Sequence, residues 1–258
     1  MLPSLFLSHG SPMTAVLDTP ARHFLAGLGA ALPRPRAILV VSAHWETATP
    51  MLNATARNET IHDFHGFPKQ LYTLSYPAPG APEWAEEIAE TLRGAGFPAG
   101  LDRRRGLDHG AWVPLLLAWP AADIPVLQLS VQTALGPRHH FALGRALAGL
   151  AARDVLVIGS GSFTHDLRRF RGGQAIDAPE TADVSAFTAW MHAHILAHDT
   201  AALLAYRTLA PYAAEQHPSE EHLLPLFTAL GAGGENAMHL HGSVEFGFLR
   251  MDAYAFQA

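Results

Sequence analysis

Four short apolar runs, at residues 5–7, 37–41, 124–129 and 155–158, constrain this chain more than any other feature. Runs such as LFL and AILVV do not alternate with polar residues, so they read as strands buried on both faces. Ala- and Leu-rich segments of helical character separate or follow them: 21–32, 82–93, 137–152, about 179–198 and about 220–230. Pro82 and Pro137 stand where a first helical turn tolerates proline. Ser219 suits the N-cap of the last helix and Gly231 its stop. Strands alternating with helices imply an α/β layered fold. The tail differs: residues 244–248 and 249–256 alternate as antiparallel strands do, so a mixed sheet is expected. No repeat, low-complexity segment or long linker interrupts the chain, and one domain over 1–258 is the simplest division.

Composition removes several function classes. No run approaches the roughly 18 apolar residues of a membrane span. The N-terminus lacks the basic start of a signal peptide, and Ser8-His9 cuts its apolar segment short, so a cytoplasmic protein is expected. With no cysteine there are no disulfides, thiolate metal sites or cysteine nucleophiles. The net charge is −6 with no basic stripe, and Arg103-Arg104-Arg105 reads as a solvated loop, which argues against a nucleic-acid partner.

Sixteen histidines remain, and their placement matters more than their number. His9 ends the first run, His44 follows the second in AILVVSAHWE, and His165 follows the last in VLVIGSGSFTHDL. Strand ends of one sheet converge, and imidazole is both a common metal ligand and a proton carrier near neutrality. Asp108 and His109 precede an apolar helix in GLDHGAWVPL. His217, Glu220, Glu221 and His222 lie in HPSEEHLLPLF, where a spacing of five lets at most one of the two histidines face a site. His62, Asp63 and His65 in IHDFHGFP belong to a lid or pocket wall, and His139, His140, His192, His194 and His198 to helix surfaces or packing. No G-x-G-x-x-G, G-x-S-x-G or P-loop lysine occurs.

Eight segments occur in order: LFLSHGSP, VVSAHWE, TIHDFHGFP, LYTLSYPAPG, GLDHGAWVPL, DIPVLQLSVQ, GSGSFTHDL and EHLLPLFTALGA. Together they resemble the class III extradiol ring-cleavage dioxygenases, in the DOPA 4,5-dioxygenase-like branch, from about Leu5 to Tyr254. The resemblance implies a three-layer α/β sandwich with a mixed central sheet, in agreement with the pattern. It implies His9, His44 and His222 as metal ligands, His165 as the acid–base residue and His109 as a substrate-contacting donor. Other branches use a glutamate as the third ligand, and Glu221 is adjacent.

The implied reaction inserts both atoms of O₂ into a catechol ring. It requires Fe(II) on three protein ligands with open positions, and three imidazoles would also accept Zn(II). The implied partners are a catechol and O₂, with no nucleic acid or membrane, and a homodimer as the default assembly. Competing classes with the same histidines are a zinc hydrolase and a non-catalytic metal- or aromatic-binding relative. Trp45, Phe64, Phe67, Trp112 and Phe163 are candidates to line a ring pocket.

Overall fold

The strands in chain order are β1 (Ser4–Ser8), β2 (Ala37–Glu46), β3 (Met51–Asn53), β4 (Gly100–Asp102), β5 (Val126–Val131), β6 (Val155–Gly161), β7 (Asn236–His241), β8 (Val244–Glu245), β9 (Leu249–Arg250) and β10 (Ala253–Gln257). They are seen in a computed structural model that describes residues 2–257; residues 1 and 258, the ends of the expected domain, lie outside the described residues. Among the described residues, eight strands form one sheet in the order β4-β3-β5-β2-β6-β1-β10-β7, and β8 pairs with β9. Neighbours β5, β2, β6 and β1 run parallel, while β10 is antiparallel to both β1 and β7. The sheet is mixed, as expected.

Helices cover both faces: α1 (Pro20–Ala31), α2 (Pro82–Gly94), α3 (His109–Ala118), α4 (Gly136–Leu147), α5 (Ala182–Leu196), the single turns α6 (Thr200–Leu203), α7 (Tyr206–Leu209) and α8 (Ala213–Gln216), and α9 (Leu224–Gly233). Side chains of one strand point alternately to the two layers. Ile38 and Val40 of β2 pack with Leu25 of α1 and Trp112 of α3. Leu39 and Val41 pack with Ile88 of α2 and Leu143 of α4. Phe6 and Tyr254 pack with Phe187 of α5 and Phe227 of α9. The unbroken apolar runs are thus strands sandwiched between two helical layers.

Several element bounds differ from the sequence reading. The last helix begins at Leu224, four residues late, and Ser219 does not cap it; Pro225 occupies its first turn, where a missing N–H costs nothing. Gly231 lies inside this helix rather than after it. A Cβ there would sit 2.2 Å from the Phe141 carbonyl oxygen, so this glycine is spent on the close crossing with α4. The helix at 137–152 gives way to a 3-10 turn over Ala148–Arg153. β7 carries no apolar signal because it is the exposed sheet edge, with Met238 61% exposed.

Several histidines off the site are structural. The ring of His140 on α4 is fully buried, bonding Gly136 O through Nδ1 and accepting from the Gln132 N–H through Nε2. Burial lowers its pKa from 6.5 to about 4. Below pH 6.5 the unfolded chain therefore binds a proton that the folded ring refuses. Stability should fall on acidification from pH 6.5 to about 4, by about 3 kcal/mol for this residue. Urea titrations of wild type and His140→Gln across that window should show a shallower acid slope in the variant; equal slopes would contradict it.

Candidate functional site

Strands β1, β6 and β2 are consecutive neighbours in the sheet, and their carboxyl ends open on one edge. His9 follows β1 directly, its backbone N–H bonded to Gly161 O at 3.0 Å. His44 lies within the last turns of β2, which runs on to Glu46. His222 arrives from the turn before α9, rather than from a helical first turn as expected. That turn is held by the Ser162 N–H to His222 O bond, 2.8 Å. It can come this close because residue 161 is glycine: a Cβ there would lie 2.0 Å from the His222 carbonyl oxygen.

Three ring nitrogens converge. Nε2 of His44 lies 3.0 Å from Nε2 of His9 and 3.3 Å from Nε2 of His222. The opposite nitrogens fix the tautomers of His9 and His222. Ser160 Oγ donates to Gly110 O, so the 3.0 Å contact between His9 Nδ1 and Ser160 Oγ requires His9 Nδ1–H to be the donor. His222 Nδ1 donates to Glu221 at 2.8 Å. His44 Nδ1 faces the Asp63 carboxylate at 3.8 Å. The Nε2 lone pairs of His9 and His222 therefore point at a common centre that His44 Nε2 also borders, and their far N–H groups rest on a hydroxyl and a carboxylate, the arrangement a ligating histidine needs.

Burial, reinforced by the neighbouring imidazoles, holds the pKa of His9 and His222 well below 6.5, and burial followed by His109 brings His44 down to about 4. The three rings are neutral at physiological pH, and a neutral imidazole is the ligating form. Three such donors with ligand atoms within 4.8 Å of one another fit a divalent transition metal. Glu221 is placed as the hydrogen-bond acceptor of His222.

His165 and His109 flank this centre. The His165 ring stacks on His222 at 3.4 Å between centroids and 14° between planes, and burial lowers its pKa to about 4. His109 is the first residue of α3, behind the N-cap Asp108, and its ring lies 3.9 Å from that of His44. A cavity of about 200 Å³ opens against His44, His109, His165 and His222, walled by Pro12, Phe64, Phe67, Leu167 and Leu249. A groove of about 500 Å³ between α1 and β7 is larger, but among the described residues His23 is the one ionisable residue on its walls.

The remaining sequence candidates separate cleanly. Phe64 and Phe67 line the cavity, whereas Phe163 packs in the core against Phe6 and Phe187. Trp112 is core too, and Trp45 lies under the Arg105 guanidinium. His62 bonds Leu74 O, and His217 is buried on Phe163 O, so of the pair His217 and His222 one alone faces the centre. Arg105 is not solvated as expected: it pairs at 2.9 Å with the fully buried Asp108, a carboxylate also engaged by Ser42 and Gln128. Asp63 is more than a wall residue. It accepts from both the backbone N–H and Nδ1–H of His109, each at 2.9 Å, and although burial pushes its pKa up, these bonds hold it below the usual carboxylate range.

Residues 3–250 match the family model described as the catalytic LigB subunit of aromatic ring-opening dioxygenase. The chain belongs to this family. As a LigB-type extradiol dioxygenase it takes a catechol and O₂ as substrates and is built for a metal cofactor. It is 45% identical over 98% of its length to a protein of Beta vulgaris named 4,5-DOPA dioxygenase extradiol, covering 96% of that protein. Similarly named proteins of Portulaca grandiflora and Escherichia coli K12 are 44% and 38% identical, over 91% and 90% of this chain and 87% and 85% of theirs. The crystal structure of an uncharacterized protein from Escherichia coli K12 superposes with a TM-score of 0.81 at 32% identity, covering 99% of this dioxygenase and all of that chain. No helix among its described residues is long and apolar enough to cross a membrane.

Proposed function

We propose that His9, His44 and His222 hold Fe(II) through Nε2, and that the catechol ring binds in the adjoining cavity with His165 as its proton acceptor. The observation that carries this is the convergence of three Nε2 atoms whose Nδ1 sides are turned to Ser160, Asp63 and Glu221. Fe(II) supplies electron exchange between a closed-shell catecholate and triplet dioxygen, and eases loss of the hydroxyl protons. Phe64 and Phe67 flank the ring and limit water in the cavity. His165, neutral and unligated, takes a hydroxyl proton and can return it later in the reaction. His109 lines the same cavity, its ring 3.9 Å from that of His44. The relatives bring DOPA as the first substrate to try, with 4,5-cleavage as the regiochemistry to look for.

Protein loaded anaerobically with Fe(II) and then exposed to O₂ should consume oxygen with DOPA or a simple catechol and form a yellow ring-opened product. The same protein carrying Zn(II), verified free of iron, should consume none. Oxygen uptake by the zinc form would overturn iron as the working metal.

A further inference from the structure

The loop between β3 and α2 carries Phe64 and Phe67 into the cavity wall, and Asp63 just before them. We propose that Asp63 is a positioning residue: it fixes the orientation and tautomer of His109, and so decides which face of that imidazole the substrate meets. The proposal rests on the site assigned above. One carboxylate oxygen accepts the backbone N–H of His109, a donor that cannot rotate away because it is the first residue of α3. The other accepts Nδ1–H of the same residue. Two bonds to one residue leave the carboxylate no freedom, and the ring is pinned with Nδ1 outward and Nε2 toward the cavity.

This changes the chemistry expected of His109. From sequence it reads as a hydrogen-bond donor to the substrate. With Nδ1–H committed to Asp63, the neutral tautomer presents a lone pair at Nε2 instead. It receives a hydrogen bond from a catechol hydroxyl and thereby orients that hydroxyl. Asp63 plays the part that the carboxylate plays for histidine in a catalytic triad, setting tautomer without touching substrate. The same carboxylate oxygen lies 3.8 Å from Nδ1 of His44, so one side chain faces both a proposed ligand and a substrate-facing ring. Because Phe64 follows it directly, the loop brings the ring wall and the orienting carboxylate into place together.

In Asp63→Asn the amide can no longer offer two acceptors, and one N–H of His109 loses its partner. Nitrogen-15 chemical shifts of His109, read on the metal-free protein, should report the Nδ1–H tautomer in wild type and a mixed or Nε2–H state in the variant. With metal content matched to that of the wild type, kcat should fall about 10- to 100-fold with KM little changed. Asp63→Glu should recover part of that kcat. In the background of His109→Gln, adding Asp63→Asn should cost nothing more, because the two act as a unit. An unchanged tautomer in Asp63→Asn would overturn the proposal, as would losses that multiply in the double variant or a loss confined to KM, since those mark a loop anchor. The tautomer measurement needs no turnover, so it decides the role of Asp63 even if the proposed reaction fails.

Discussion

Replacing His44 by alanine is expected to strip the protein of its metal and leave no measurable ring cleavage. His44 is the centre of the cluster: its Nε2 is the atom within 3.3 Å of both other Nε2 atoms. Without it, His9 and His222 remain as two donors, which neither close a tetrahedral site nor hold three positions on one side of an octahedral one. The variant should still fold. His44 is partly exposed, with 22% of its side chain accessible, and its backbone stays in β2. Metal analysis after gel filtration should find less than a tenth of an ion per chain, on the order of the affinity loss that removal of a direct ligand exceeds relative to a supporting residue. A full complement of metal in His44→Ala would sink the ligand assignment.

His165→Ala should separate chemistry from metal binding. The ring of His165 makes no hydrogen bond among the described residues; it lies flat on His222 and is positioned through its backbone N–H to Gln216 O, 2.8 Å. Its removal leaves the three Nε2 atoms and their supporting partners in place. Metal content should be unchanged, while kcat falls about 100- to 10,000-fold, the usual worth of a positioned proton acceptor. If the substitution instead emptied the site, the division between ligand and proton carrier would be wrong.

What the sequence could and could not reveal follows from the range of the interactions involved. The strands of the sheet's middle were readable because burial on both faces removes polar residues from them, and that is a local signal. The histidines at their ends were readable for the same reason. β7 was missed because an edge strand in contact with solvent needs no apolar run. The start of α9 was misplaced because Glu220 and Glu221 imitate a helical N-terminus, whereas Glu221 is engaged by His222. Asp63 and His109 are 46 residues apart, and nothing in either segment announces their contact. Arg105 looked like one of three surface cations, yet the buried Asp108 three residues on draws it inward, because a buried carboxylate without a counter-charge is costly.

The order of strands has a further consequence. The two that deliver His9 and His44 are not adjacent; β6 runs between them. At about 4.8 Å per strand spacing, their backbones stand roughly 10 Å apart, and both imidazoles must lean inward to share an ion. The middle strand is therefore a floor beneath a bridge. Its final residues, Gly159-Ser160-Gly161, are short enough to leave the span open, and Ser160 rises just far enough to prop one of its ends. A side chain at Gly161 would not touch the metal at all, yet its Cβ would meet the His222 carbonyl oxygen at 2.0 Å and push away the turn that brings in the third imidazole.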